Sequence, residues 1–231
     1  MKKIAIMLAS IAATIAVQNA SAQQGNDDPA NLGRYAEANT QLKASGARPD
    51  VVFMGNSITD AWPRVQPDMF SDGSFVGRGI SGQVTAQMLA RFQADVIDLR
   101  PMVVVILAGT NDIAENRGPV SLEQIAANIF AMATLARDNG IAPVICSVLP
   151  AAEYPWRRQI TDVPAKVRAL NAMLKEWAAA NRCEWVDYHT PMADERGGLP
   201  ARYAEDGIHP TAAGYARMTS IITPTIDALL R

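Results

Sequence analysis

The sequence predicts an α/β fold, a parallel sheet with helices packed on both faces. Three observations carry this. Short apolar runs alternate with stripes of apolar residues at helical spacing throughout the chain after residue 47, the pattern of repeated strand–helix–strand units. Val103–Leu107 is five consecutive apolar residues, three of them valine, which reads as a strand covered on both faces. Val51–Met54 is a second such run and stops abruptly at Gly55-Asn56-Ser57. A buried strand looks like this when it delivers a side chain to the edge of an open α/β sheet, where ligands bind.

The first residues belong to another pattern. Lys2 and Lys3 precede an apolar run from Ile4 to Val17, and Ala20-Ser21-Ala22 has the small-x-small form of a cleavage site. Residues 1–22 therefore read as a cleavable export signal, too short for a membrane span. No cysteine stands near the cleavage point, which argues against a lipid anchor, and no other run has the length of a transmembrane helix. The expected mature protein is exported, periplasmic or extracellular, with no membrane span. Residues 23–47 read as an N-terminal extension, in which Tyr35, Ala38 and Leu42 recur at helical spacing over Asn31–Ser45. The 231 residues suffice for one domain of ordinary size, and a net charge of −2 supplies no field to recruit nucleic acid.

The elements then follow in order. Val51–Met54 is the first strand and Ser74–Val76 a short second one. Val84, Met88, Phe92, Val96 and Leu99 make a helical stripe that Pro101 stops. Val103–Leu107 is the third strand. Ser121-Leu122-Glu123-Gln124 matches a capping box. Behind it Leu122, Ile125, Ile129, Met132 and Leu135 form a helical face that closes at Asn139-Gly140. Val144–Leu149 is the fourth strand. Pro164 opens a helix with Val167, Leu170, Leu174 and Trp177 inward, and Glu184–Asp187 holds a fifth strand. Pro210 starts the last helix, with Tyr215, Met218 and Ile222 inward and Pro224 interrupting or kinking it. Cys146 and Cys183 have neither metal nor redox spacing. Cys146 reads as a small core residue, and spacing leaves open whether the two pair.

The residues after the strands carry the chemistry. Ser57 follows the first strand, Gly79 the second and Asn111 the third, while Asp206-Gly207-Ile208-His209 precedes the last helix. A serine at a strand-to-helix turn is either a cap or a nucleophile. An imidazole serves as its base near neutral pH. A carboxylate three residues before His209, with glycine between, can turn back onto Nδ1 and set the tautomer. The amides of Ser57 and Gly79 and the side chain of Asn111 are candidate oxyanion donors. His189, the second histidine, reads as an ordinary surface or hinge residue. Together Ser57, Asp206, His209, Gly79 and Asn111 form the inventory for acyl transfer. The loop Ala151–Asp162, with Tyr154, Trp156, Arg157 and Arg158, is a candidate for stacking a sugar.

One motif competes. Gly77-Arg78-Gly79-Ile80-Ser81-Gly82 fits the dinucleotide fingerprint G-x-G-x-x-G. It follows the second strand rather than the first. Its expected acid about 20 residues on falls near Met102 and the acid-free run Val103–Leu107, and an exported enzyme meets little nicotinamide cofactor. G-x-S-x-G is absent, so the α/β-hydrolase elbow is not supported either.

Taken together, the segments resemble the blocks of the SGNH (GDSL-like) esterase and lipase superfamily, over about residues 48–230. Ser57 matches the block I nucleophile, Gly79 the block II glycine and Asn111 the asparagine of block III Gly-Thr-Asn-Asp. Asp206 and His209 match the block V Asp-x-x-His pair. The resemblance implies a hydrolase domain over 48–231, a flavodoxin-like three-layer α/β/α sandwich with five parallel strands in the order 2-1-3-4-5, and no metal or organic cofactor. It implies a serine esterase acting on small-molecule or polysaccharide esters. A short acyl group on a polar alcohol suits an exported chain without a lid-like apolar segment. Deacetylation of plant-type polysaccharides or oligosaccharides is therefore favoured over a short-chain aryl or lysophospholipid esterase or thioesterase, or a catalytically silent carbohydrate-binding protein. Two departures stand out: Asn56 replaces the family's aspartate before the serine, and Gly77 stands where block II often has asparagine.

Overall fold

Valine, isoleucine and leucine in unbroken runs bury best in the middle of a sheet, and there they lie. A computed structural model describes residues 28–231; the export signal expected over 1–22, and residues 23–27, lie outside the described residues. Val103–Leu107 is the central strand β3, flanked by β1 (Val51–Gly55) and β4 (Ala142–Cys146), with β2 (Phe75–Gly79) and β5 (Glu184–Val186) at the edges. The order is 2-1-3-4-5 and every pairing is parallel. All residues of β1 and β3 are buried, whereas β5 keeps Glu184 exposed.

Successive side chains of a strand point to opposite faces, and the two cores follow this alternation. Val52, Met54, Val104 and Ile106 face one side. There they meet α3 (Thr85–Asp95), α5 (Leu122–Asp138) and α6 (Val163–Ala180) through Met88, Phe92, Ile125, Ile129, Met132, Val167 and Leu170. Val51, Phe53, Val103 and Val105 face the other. Their partners come from α2 (Ser57–Val65) and α8 (Ala212–Leu229), led by Trp62, Tyr215, Met218 and Ile222. Each such side chain contributes about 1.5–3 kcal/mol when fully buried. A first helix, α1 (Gly33–Ala44), packs beside α3. Two one-turn helices complete the chain, α4 (Thr110–Ile113) and α7 (His189–Met192).

Several boundaries differ from the sequence expectation, each for a physical reason. β2 is not Ser74–Val76 but runs on through Gly77 and Gly79. Helix α2 crosses it so closely that a Cβ on Gly79 would sit 2.1 Å from the Asp60 nitrogen, and one on Gly77 would sit 2.8 Å from Pro63 Cγ. These glycines are there for close packing, not for a phosphate turn. β4 begins at Ala142 and ends at Cys146, short of Leu149. Beyond it the Asn171 side chain takes over the ladder, accepting from the Val148 amide at 2.8 Å and donating to the Val148 carbonyl at 3.1 Å.

In α5 the capping box forms as expected between Ser121 and Gln124. Leu135, however, is 40% exposed, because the buried face steps from Ile125, Ile129 and Met132 to Ala136. In α1 the inward residue is the polar Asn39 rather than Ala38. α8 is capped by Thr211 and continues through Pro224 to Leu229 without interruption. Cys146 and Cys183 are both free, and burial pushes the Cys146 thiol up to about 12, so it stays protonated and inert.

Candidate active site

Strand register decides which residues meet. Gly55 pairs with Gly79 on one side and with Leu107 on the other, so β1, β2 and β3 end level. The residues that follow them therefore share one rim of the sheet, outside the carboxyl ends of the strands.

At the end of β1, Asn56 is buried and its Oδ1 accepts the Ile58 N–H at 3.0 Å. Asn56 is the cap of α2, an assignment that a helix N-terminus rewards with about 1 kcal/mol. Ser57 is the first helical residue. Its hydroxyl is thus released from capping, and Ser57 Oγ lies 3.0 Å from His209 Nε2. Asn56 thus shapes the turn that presents Ser57.

The segment before α8 supplies the imidazole. Gly207, at φ +76°, lets the chain fold back. Asp206 Oδ1 accepts the amides of Ile208 at 2.9 Å and His209 at 2.7 Å, while Oδ2 lies 2.7 Å from His209 Nδ1. One carboxylate oxygen closes the turn and the other holds the ring. An ionised carboxylate only accepts, so Nδ1 carries the proton and Nε2 is left to accept from the serine hydroxyl. Burial raises the Asp206 pKa, but hydrogen bonds from the His209 ring and the His209 and Ile208 amides outweigh it and hold the carboxyl below its usual 3.8. The Asp206 and His209 side chains are 50% and 48% exposed, so this pair is open to solvent. Tyr215 in α8 donates to the Ile58 carbonyl at 2.7 Å, fastening the histidine's helix to the serine's helix.

The remaining rim residues sit in buried polar networks. The Tyr35 hydroxyl donates to the Gly79 carbonyl, so α1 reaches the end of β2. Asn111 is buried; its Nδ2 donates to the Gln83 carbonyl at 2.9 Å and its Oδ1 accepts from Asn116 Nδ2 at 3.0 Å. Asp112 beside it accepts from the Thr85 amide through both oxygens at 3.0 Å and from Thr85 Oγ1 at 2.6 Å, capping α3 from another element. Burial raises its pKa in spite of these bonds.

The loop after β4 divides differently from the sequence expectation. Tyr154 has no exposed surface; its hydroxyl lies 3.1 Å from Thr110 Oγ1 and anchors the loop to α4, so it offers no face to a sugar. Trp156 is 44% exposed. Arg157 is partly exposed. His189 stands apart from the Ser57 pair, lining a separate cavity of about 430 Å³ with Arg168, Lys175 and Trp185. Among the described residues no group of three or more His, Cys, Asp or Glu side chains is placed to hold a metal ion. Sequence reasoning read Tyr35 only as part of a helical stripe, not as a residue of the rim, and missed Gln83 and Asn116. The latter two are lone polar residues outside any motif, so only burial and contact reveal them.

Comparison with known proteins decides the family: its profile, described as the GDSL-like Lipase/Acylhydrolase family, matches residues 53–217. The chain belongs to this family. A GDSL-like lipase of Bacteroides thetaiotaomicron, solved by crystallography, is 47% identical with a TM-score of 0.81, covering 86% of this chain and 98% of that one. The esterase TesA of Pseudomonas aeruginosa is 26% identical over 201 residues, covering 82% of this chain and 93% of the relative. The acetylxylan esterase Axe2 of Geobacillus stearothermophilus, solved as a catalytic mutant, shares the fold at 19% identity, with a TM-score of 0.60 and coverage of 76% and 93%. This GDSL-like chain is accordingly an esterase of the acylhydrolase class.

One prediction arises from the open pair. In this GDSL-like esterase, Asp206→Asn keeps an oxygen for the two amides but turns an NH₂ toward Nδ1. The ring then takes the wrong tautomer, and kcat on an acetate ester is expected to fall about 10²–10⁴-fold, toward the lower end because water reaches the ring. Because hydrogen bonds from His209 and the Ile208 amide hold the Asp206 carboxyl below its usual 3.8, activity lost on acidification above that pH is not expected to come from Asp206. An acid limb that moved with Asp206 itself would contradict this.

Proposed function

We propose that the protein is a serine esterase that removes small acyl groups, foremost acetyl, from polysaccharide or oligosaccharide alcohols. The observation that carries the mechanism is the continuous chain Asp206–His209–Ser57, at 2.7 and 3.0 Å. His209 takes the Ser57 proton, and Oγ bonds to the ester carbonyl carbon. The resulting oxyanion is held by the amides of Ser57 and Gly79 and by the second N–H of Asn111 Nδ2, whose first is committed to Gln83. One such donor is worth about 10²–10³ in rate. The intermediate collapses, the carbon–oxygen bond to the alcohol breaks, and His209 protonates the departing alcohol. His209 then deprotonates a water that attacks the acyl-enzyme, releasing the acid and restoring Ser57. No step calls for a metal or organic cofactor.

The acetyl-sugar reading is supported by three features. Asp206 and His209 are half exposed, which suits a bulky polar alcohol on a short acyl group. Trp156 presents an aromatic surface on the loop tied to Asn111 through Asn116. The fold is shared with an acetylxylan esterase. Export is part of the proposal, supported by the basic, apolar and Ala20-Ser21-Ala22 segments of the first 22 residues. Among the described residues no helix is long and apolar enough to cross a membrane.

The test is a substrate panel of p-nitrophenyl acetate, p-nitrophenyl octanoate and acetylated xylan. Acetate is expected to exceed octanoate in kcat/KM by at least about tenfold, since each methylene changes discrimination by about 1–3 kcal/mol, and acetate should be released from the xylan. Preference for octanoate with inert xylan would replace this reading with an aryl or lysophospholipid esterase.

A further inference from the structure

We infer that Trp156, acting through Asn116, is a positioning residue for Asn111, so that the loop offered to the substrate also aims the oxyanion donor. This rests on the oxyanion role proposed for Asn111. The observation is an unbroken chain of hydrogen bonds. Trp156 Nε1 donates to Asn116 Oδ1 at 2.9 Å, Asn116 Nδ2 donates to Asn111 Oδ1 at 3.0 Å, and Asn111 Nδ2 donates to the Gln83 carbonyl at 2.9 Å.

The direction of that chain is dictated by its ends. An indole N–H only donates and a backbone carbonyl only accepts. Asn116 must therefore turn its oxygen to Trp156 and its NH₂ to Asn111. Asn111 must turn its oxygen to Asn116 and its NH₂ to Gln83 and the rim. Neither amide can flip without breaking a bond at each end, so the second Nδ2–H of Asn111 has one direction to point. The backbone repeats the tie: the Asn116 amide donates to the Asn111 carbonyl at 3.0 Å.

The two ends of the chain also differ in exposure. Asn111 is 4% exposed, whereas Trp156 is 44% exposed. Tyr154, fully buried two residues earlier and 5.4 Å from the Trp156 ring, fastens the base of the loop to Thr110. The loop is thereby clamped at two points, to Thr110 in α4 and to Asn116 just beyond it, one on each side of Asn111 in the sequence. A ligand seated on the free face of Trp156 narrows the indole's motion, and the hydrogen-bond chain carries that restriction to the donor N–H. A donor fixed before charge develops stabilises the oxyanion without reorganising.

The test separates aiming from binding. Trp156→Phe keeps an aromatic face, smaller by one ring, and loses the N–H. With p-nitrophenyl acetate its kcat is expected to fall about tenfold at nearly unchanged KM, short of the 10²–10³ lost with the donor itself. Asn116→Asp, the same size but accepting on both oxygens, should cost at least as much, because it faces Asn111 Oδ1 with a second acceptor. In an Asn111→Ala background Trp156→Phe should have no further effect, since the group it aims is gone. Coincident urea midpoints for Trp156→Phe and the parent establish that stability is not the cause. A Trp156→Phe enzyme with parental kcat, or one that loses kcat equally with and without Asn111, overturns the inference while leaving the esterase reading intact. Parental turnover in Asn111→Ala instead overturns the oxyanion role, and the relay with it.

Discussion

A Ser57→Ala enzyme is expected to fold normally and to lose ester turnover by about 10⁴–10⁶-fold, the range seen when a serine nucleophile is removed from an intact site. Folding should survive because Ser57 carries no structural load. Asn56 caps α2, and among the described residues the only side-chain partner of Ser57 Oγ is His209. Alanine is also the best helix former at a helical position. The measurement is kcat on p-nitrophenyl acetate beside a urea melt, with unchanged midpoint and slope expected. Turnover within tenfold of the parent would remove Ser57 from the mechanism and force another nucleophile into the site.

The largest stability effect is expected at Arg91. Its side chain has no exposed surface, and all three nitrogens are engaged: Nε with Gln83 Oε1 at 2.6 Å, one terminal nitrogen with Asp95 at 2.8 Å, the other with the Gly55 carbonyl at 3.1 Å. Asp95 in turn accepts from Asn39 at 2.6 Å, and Asn39 accepts from Arg78 at 2.8 Å. Arg91→Met strips the charge partner from a buried carboxylate and takes the donor from Gln83 Oε1, while the Gly55 carbonyl keeps the Ile80 amide. The expected loss is about 3–5 kcal/mol, because an uncompensated buried charge costs far more than the pair was worth. At this chain length that lowers Tm by roughly 6–20 °C. Arg91→Met combined with Asp95→Leu removes both charges and should regain much of the loss. If the double variant melts with the single one, the damage lies in the Gly55 and Gln83 bonds rather than in the ion pair.

How much of this was legible in the sequence depended on the kind of signal each residue carried. Val103–Leu107 was readable to the residue because five apolar side chains in a row have one comfortable place, between two helical layers. Ser57, Asp206 and His209 were readable as a set because each stands where a strand ends or a helix begins, and the structure brings them within hydrogen-bond contact. The end of β2 was not readable, since glycines weaken strand patterning and the reason for them, the approach of α2, is tertiary. Nor was the end of β4, where Asn171 from a distant helix stands in for a strand. Tyr154 and Trp156 show the limit most clearly. Two aromatics two residues apart look alike in one dimension, yet one lies under the loop and the other on it. Asn116 and Gln83 are tied to Trp156 and Ala30, far along the chain, and the Arg91–Asp95 pair, though four residues apart on one helix, reads as a surface pair until tertiary packing buries it.

The contact between Ser57 and His209 spans 152 positions, which has a consequence for timing. A chain made from its amino end produces the serine well before the histidine, which comes just ahead of the helix that ties the two regions together. Every chain that stops short of His209 holds a hydroxyl without that base, chemically as quiet as any surface serine. On the proposed mechanism, catalytic competence arrives in one step, when α8 docks, and a chain that has not reached it does not act on esters around it. For the same reason ester hydrolysis reports the assembly of the whole sheet, and its disappearance in urea should coincide with global unfolding rather than precede it.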